Sequence, residues 1–110
     1  MTTQPAIIRD EEGYLINPHE WTPDFARQVA REEKLNLGED HWIVIRFVRD
    51  YFEEHQVIPD VRHVTAYLSL NRNIHKKKAK AILFNIFPYG YVKQACKLAG
   101  MKRPRAWSTG

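Results

Sequence analysis

Residues 38–55 of the chain, GEDHWIVIRFVRDYFEEH, contain the strongest helical pattern in the sequence. Apolar side chains recur at spacings of three or four residues, which places them on one face of an α-helix, while charged side chains occupy the opposite face. The apolar positions are Trp42, Ile45, Phe47, Val48, Tyr51 and Phe52. The pattern predicts a helix that begins at Gly38, ends near His55 and lies at the centre of the core.

A second helix is predicted on the N-terminal side of this stretch, beginning at Thr22-Pro23-Asp24. Threonine is a favourable N-cap, proline fits the first helical position, and an acidic side chain in the first turn interacts favourably with the helix dipole. Apolar residues then follow at helical spacing from Phe25 to Ala30. We expect this helix to extend to about Lys34.

A short third helix is predicted on the C-terminal side of the central one. The segment 57–60, which contains Pro59 and Asp60, interrupts the central helix and starts a new one. The apolar face of the new helix consists of Val61, Val64 and Leu68. Residues 69–73 are expected to form a turn.

Two further helices complete the prediction. One spans residues 75–87 and is polar at first and apolar later, and it ends before Pro88 and Gly90. The last one spans residues 91–99, with Gly100 at its C-terminal cap.

The N-terminal residues suggest a different local structure. Two short β-prone runs, 6–8 and 14–16, flank a polar loop that ends at Gly13, which predicts a small hairpin within residues 1–17. The last ten residues, 101–110, are predicted to form a flexible C-terminal arm. The expected fold is therefore a single, mainly α domain over residues 1–110: a small orthogonal bundle of about five helices (22–100) with the hairpin and the arm at its ends.

Composition excludes several classes of protein. The chain has 110 residues and one cysteine, so it has neither an intrachain disulfide nor a zinc site built from several cysteines. No apolar run approaches the roughly 20 residues that a membrane-spanning helix needs. The histidines lack the spacing of a metal site, and we expect no metal and no cofactor. A cytoplasmic protein without a membrane contact is the expectation.

The charge is divided unevenly along the chain. The net charge is +4, yet residues 1–60 carry all 13 acidic residues and residues 61–110 carry 11 of the 17 basic ones. A half without carboxylates can neutralise its lysines only against the other half of the fold or against an anionic partner. Both alternatives are open at this point.

Several motifs together resemble the DsrC/TusE family over nearly the whole chain. The most specific match is the run from Phe87 to Gly100. The other matching segments are Asp10 to Leu15, Trp21, Glu39 to Trp42 and Arg46 to Tyr51. The resemblance implies a small helical sulfur-relay protein of the cytoplasm, with sulfur-relay proteins or a sulfite reductase-like complex as partners. One branch of the family serves 2-thiouridine formation in tRNA, and another serves dissimilatory sulfur metabolism.

The resemblance also implies where the chemistry should lie. The family carries sulfur on a cysteine of its C-terminal arm, and one branch has a second cysteine eleven residues earlier. Cys96 matches the second cysteine, and the position of the arm cysteine is occupied by Trp107. Tryptophan has no nucleophile and cannot hold a persulfide, so the arm chemistry does not transfer to this sequence.

Cys96 is the remaining candidate for catalysis, with two interpretations. Lys93 and Lys97 lie close to it in sequence, and a nearby ammonium group lowers the pKa of a thiol. Against this, Cys96 lies on an apolar helical stripe, and a lone cysteine on such a stripe is more often a small core residue. The second interpretation is favoured, and a reactive Cys96 would need an external thiol or a partner protein.

A nucleic-acid-binding protein is the alternative from another class. Residues 59–87 have the layout of a helix-turn-helix unit, whose second helix would enter the major groove of DNA with residues 73–78. Basic side chains nearby could contact phosphates of DNA or tRNA. The candidate nucleic-acid-binding or partner-binding residues are Arg62, Arg72, Lys76, Lys77, Lys78, Lys80, Lys93, Lys97, Arg103, Arg105 and Trp107.

These observations lead to one favoured function and two alternatives. The favoured function is a divergent sulfur-relay family protein that binds partners, or regulates sulfur transfer, without a persulfide on its tail. The first alternative is a sulfurtransferase that works through Cys96. The second is the helix-turn-helix nucleic-acid binder.

Overall fold

A computed structural model describes residues 8–102, except for the side chain of Val92. Five α-helices make up most of this part of the chain, which confirms the predicted mainly α fold. A 3₁₀ turn over Pro18–Glu20 precedes the first helix, and a π-helical segment over Tyr91–Ala95 leads directly into the last. The helices are α1 (Pro23–Glu32), α2 (Glu39–His55), α3 (Val61–Arg72), α4 (Lys76–Ile86) and α5 (Cys96–Leu98).

The predicted helix starts are confirmed by their capping hydrogen bonds. The hydroxyl oxygen of Thr22 accepts a hydrogen bond from the backbone N–H of Phe25 (3.2 Å). The carboxylate of Asp60 accepts two, from the backbone N–H groups of Arg62 (2.8 Å) and His63 (3.2 Å). These bonds satisfy N–H groups that have no partner within the first turn of a helix.

The predicted turn over residues 69–73 is wrong, because α3 continues to Arg72. Asn73 ends the helix in the left-handed conformation, with φ of 55°. The backbone N–H groups of Asn73 and Ile74 donate to the carbonyl groups of Leu70 (3.3 Å) and Ser69 (3.0 Å). This pattern is a Schellman motif, which asparagine can close almost as glycine does. The helix therefore has no need to end at Ser69.

Helix α2 lies at the centre of the core, as predicted. Its buried residues are His41, Val44, Ile45 and Val48. Trp42, Phe47 and Phe52 are partly buried and pack against the same core. The other helices contribute Phe25, Val29, Val64 and Leu83 to it, and Phe87 joins it from the C-terminal cap of α4.

The N-terminal segment reverses direction at Gly13, which has φ of +92°. A single antiparallel bridge joins Arg9 and Leu15. The guanidinium group of Arg9 also donates to both carboxylate oxygens of Glu32 (2.9 and 2.8 Å), which ties this reversal to the end of α1. Ala6 and Ile7 lie outside the described residues, so the hairpin over residues 1–17 stays a prediction.

The helical body ends slightly later than predicted. Gly100 follows α5 with φ of +76°, in agreement with a C-terminal cap. Met101, predicted to be the first residue of the arm, is 1% exposed and belongs to the core. Residues 103–110 lie outside the described range. No helix within residues 8–102 has the length and apolar character needed to span a membrane.

Candidate functional site

Cys96 is a core residue at the first position of α5. Its exposed fraction is 0%, and burial raises the pKa of its thiol to about 12. A hydrogen bond with the Tyr91 side chain lowers the pKa by a smaller amount. The hydroxyl group of Tyr91 donates its proton to the carbonyl oxygen of Pro59 (2.7 Å). The structure therefore favours the interpretation of Cys96 as a buried structural thiol.

Lys93 and Lys97 do not lower the pKa of this thiol, although their positions in the sequence suggested that they could. The ammonium group of Lys97 donates to the carboxylate of Glu33 (3.3 Å) and lies 5.1 Å from the centre of the Tyr14 ring. Lys93 is exposed to solvent. Desolvation of the thiolate determines the direction of the pKa shift.

Gln94 is a buried polar residue whose importance the sequence analysis missed. Its side-chain N–H donates to Glu33 (3.1 Å), and its side-chain oxygen accepts a hydrogen bond from the backbone N–H of Tyr89 (3.1 Å). It is 1% exposed and joins the π-helical segment to the end of α1. The signal in the sequence that could have identified Gln94 is the presence of a polar residue among the apolar positions of a helix.

His41 forms hydrogen bonds through both nitrogens of its ring. Its Nδ1 accepts a hydrogen bond from the backbone N–H of Gly38 (3.0 Å), so the imidazole carries its proton on Nε2. Nε2 donates to the carbonyl oxygen of Ile86 (3.0 Å) at the end of α4. Burial lowers the pKa of His41. The first turn of α2 is thereby linked to a helix that lies 45 residues away in sequence.

The end of the helical body is held by two side chains from distant segments. The indole N–H of Trp21 donates to the carbonyl oxygen of Leu98 (2.8 Å). The guanidinium group of Arg49 donates to the carbonyl oxygens of Ala99 (2.7 Å) and Pro18 (3.3 Å), and it lies 4.3 Å from the centre of the Trp21 ring. These contacts hold the C-terminal end of α5 against α2 and against the segment before α1.

The structure separates the candidate binding residues into three groups. Lys76, Lys77, Lys78, Lys80 and Lys93 are exposed, and no ion pair to them exists within the described range. Three others form ion pairs: Arg72 with Asp40 (2.7 Å) and Glu39 (3.2 Å), Lys97 with Glu33 (3.3 Å), and Arg62 with Asp60 (3.3 Å). Arg103, Arg105 and Trp107 lie outside the described residues.

We call the four exposed lysines at the start of α4 the lysine cluster: Lys76, Lys77, Lys78 and Lys80. They follow one another in the first turns of a helix that contacts α3. Acidic side chains do not occur anywhere in residues 61–110 of the sequence. This cluster is thus a concentrated positive surface with no neutralising carboxylate from its own half of the chain.

The described residues do not form a metal-binding cluster. No group of three or more histidine, cysteine, aspartate and glutamate side chains is placed to hold an ion there. His63 instead lies against Asp60, with 3.1 Å between its Nδ1 and the carboxylate.

A family model described as DsrC-like protein matches residues 2–106. The chain belongs to the DsrC family. It is 38% identical over 99 residues to a sulfurtransferase TusE of Buchnera aphidicola, covering 89% of this chain and 85% of that protein. It is 36% identical over 98 residues to the sulfurtransferase TusE of Escherichia coli K12, with 89% of each chain covered.

Solved structures of the DsrC family show the same fold. The DsrC of Allochromatium vinosum has a TM-score of 0.77 at 40% identity, with 91% of this chain and 88% of that chain covered. The oxidised γ-subunit of dissimilatory sulfite reductase from Archaeoglobus fulgidus has a TM-score of 0.78 at 28% identity, with 93% and 92% covered. The predicted family membership and helical fold are confirmed.

Proposed function

We propose that this protein is a partner-binding or regulatory component of sulfur transfer that carries no persulfide on its C-terminal tail. The observation that carries the proposal is the complete burial of Cys96, the single cysteine of the sequence. The family resemblance assigns the carrier cysteine to the position of Trp107, where no thiol is present.

The chemistry of sulfur transfer supports this proposal. A relay cysteine must attack as a thiolate, become a persulfide and then reach the acceptor. Because burial raises the pKa of Cys96 to about 12, the thiol is almost entirely protonated at neutral pH. A side chain with no exposed surface also cannot present a persulfide to a second protein.

Binding of partners is the function that the surface can supply. The lysine cluster and Lys93 are exposed and without ion pairs among the described residues. Such a surface attracts an acidic patch on another protein and accelerates encounter with it. The relatives named TusE sulfurtransferase and sulfite reductase γ-subunit support sulfur-relay proteins or a sulfite reductase-like complex as partners. We propose that this binding takes place in the cytoplasm.

Intact-mass measurement after incubation with a persulfide donor tests the absence of a sulfur cargo. We expect the folded protein to gain no sulfane sulfur, while the same protein unfolded in urea gains it at Cys96. The unfolded control shows that the donor is active toward this thiol. A stable adduct on the folded protein that passes to an acceptor would instead establish the alternative of a sulfurtransferase working through Cys96.

Charge reversal tests the docking surface. The triple variant Lys76→Glu, Lys77→Glu, Lys78→Glu should lose binding to a purified sulfur-relay or sulfite reductase partner complex. The matched control is Lys34→Glu, which changes an exposed lysine at the end of α1. Equal binding by the triple variant and the wild-type protein would refute the role of the lysine cluster.

Nucleic-acid binding stays as the second candidate because of one observation: the lysines at the N-terminus of α4 are exposed. In a helix-turn-helix protein this end of the second helix approaches the DNA. Binding to duplex DNA and to tRNA at two salt concentrations tests the idea, since phosphate contacts weaken steeply with salt. The absence of binding at low salt would exclude this function.

A further inference from the structure

A groove between α1 and α2 combines tryptophan with arginine side chains. One cavity of about 460 Å³ is lined by Trp21, Pro23, Arg27, Trp42 and Arg46. A second cavity of about 260 Å³ shares Arg27 and Trp42 with the first and adds Arg31, Leu35 and Leu37 to the lining. We call the two cavities together the Trp–Arg groove. It lies in the half of the sequence that carries all of the acidic residues, yet its lining includes three arginines.

The guanidinium groups of this groove have capacity for a ligand. Arg31 and Arg46 are exposed, and neither forms an ion pair with another described residue. Arg27 pairs with Asp24 (2.8 Å), but both partners are solvent-exposed, and such pairs contribute little. Among the described residues, no aspartate or glutamate lines either cavity. The groove is thus electropositive and open to an anion.

The shape of the groove favours an extended segment over a small ion. Its α1 wall runs from Pro23 to Arg31, a rise of about 12 Å along the helix axis. This length corresponds to about four residues of extended chain. Arginine binds carboxylates in a bidentate manner, and the apolar lining near Trp42 and Leu35 suits an apolar side chain between them.

Stacking of nucleic-acid bases is less favourable in this groove. The guanidinium group of Arg49 lies 4.3 Å from the centre of the Trp21 ring, and Gly100 packs against the same indole. The guanidinium group of Arg27 lies 5.3 Å from the centre of the Trp42 ring. Single-stranded nucleic acids are bound by aromatic faces that are free to stack. Carboxylates, which need the guanidinium groups and not the ring faces, fit better.

We propose that the Trp–Arg groove is a docking site for an acidic, extended peptide segment of a partner protein. The carboxylates of the segment pair with Arg27, Arg31 and Arg46, and an apolar side chain of the segment contacts Trp42. This inference goes beyond the proposed function, since it concerns a surface separate from the lysine cluster and does not depend on the state of Cys96.

Titration of the ¹⁵N-labelled full chain tests the proposal, with the hexapeptide Glu-Asp-Leu-Glu-Glu-Leu as the probe. We expect saturable shifts of the Trp42 indole N–H and of the backbone amides of residues 27–31. Arg46→Glu should weaken binding by about tenfold, because it replaces attraction by repulsion at an exposed site. Lys77→Glu makes the same charge change in the lysine cluster, and we expect it to weaken binding less than Arg46→Glu does. A thermal unfolding curve confirms that both variants are folded.

Several outcomes would overturn the proposal. One is the absence of saturable shifts, and another is equal binding of the uncharged peptide Gln-Asn-Leu-Gln-Gln-Leu. A third is tighter binding of oligouridylate at the same residues. A fourth is that the same shifts appear when the protein alone is concentrated, which would show self-association. A loss of binding in Lys77→Glu equal to that in Arg46→Glu would also overturn it and would assign the peptide to the lysine cluster. The proposed function can fail without changing any of these results, because no partner from the sulfur relay is used.

Discussion

Gly100 packs against the indole ring of Trp21 so closely that no side chain fits between them. A Cβ on Gly100 would lie 2.8 Å from the Cγ of Trp21, and the backbone at Gly100 has φ of +76°, which L-amino acids rarely adopt. The indole N–H of the same tryptophan donates to Leu98. Trp21 therefore joins Arg49 in holding the end of α5 to the segment before α1.

Gly100→Ala should destabilise the protein by about 2 kcal/mol or more, because the methyl group collides with Trp21 and the residue must adopt a left-handed conformation. Urea unfolding followed by circular dichroism measures the loss. Gly38→Ala is the matched control, since a Cβ there would meet its nearest neighbour, the His41 side chain, only at 3.9 Å. Equal stability of the two variants would contradict the close packing.

Arg49→Lys should cost about 1.5 kcal/mol despite the retained charge. A lysine cannot reproduce the guanidinium bonds to the carbonyl oxygens of Ala99 and Pro18 together with the contact on the Trp21 ring. Arg46→Lys, one turn earlier on α2 and exposed, should be nearly neutral. Denaturation midpoints of the two variants give the comparison, and a neutral Arg49→Lys would show that these bonds do not stabilise the fold.

The stability should depend on pH through His41. Burial lowers the pKa of His41 below its ordinary value of 6.5, so the unfolded chain binds a proton at a higher pH than the folded protein does. The contribution of the neutral imidazole to the free energy of unfolding is fully present above about pH 6.5. It falls as the pH drops below about 6.5 and becomes constant once the pH is below the pKa of His41 in the folded protein.

Measurement of the unfolding free energy of wild type and His41→Asn between about pH 7.5 and pH 5 tests this dependence. We expect the difference in unfolding free energy between the two proteins to become smaller as the pH falls. The reason is that only the wild type buries an imidazole that takes up a proton on unfolding. His19→Asn, at an exposed histidine, is the control. A constant difference across this range would refute the assignment to His41.

The Cys96 thiol should react with iodoacetamide at least about 100-fold more slowly in the folded protein than in urea. The reason is its complete burial together with a pKa raised to about 12. Intact-mass kinetics at neutral pH provide the measurement, and the urea-unfolded chain serves as the internal reference. Comparable rates in both conditions would place the thiol at the surface and revive a catalytic role.

Local patterns in the sequence were sufficient for the positions of most helices. The hydroxyl of Thr22, the carboxylate of Asp60 and the spacing of apolar residues in α2 act within a few residues of where they stand. The predicted turn over residues 69–73 is wrong for an equally local reason. Ser69 does not interrupt the helix, and Asn73 ends it. The family was likewise evident from linear motifs around Phe87 to Gly100.

The state of each candidate site residue depended on neighbours that are distant in sequence. Cys96 could be placed on an apolar stripe, but its burial beside Tyr91 required the packed fold. Arg72 forms ion pairs because α2 places Asp40 and Glu39 beside it. Lys97 forms an ion pair with Glu33 at the end of α1. The Trp–Arg groove arises from two helices whose facing residues are separated in the sequence. Capping and periodicity are properties of one segment, whereas desolvation and ion pairing depend on which segments meet, and only the tertiary structure decides that.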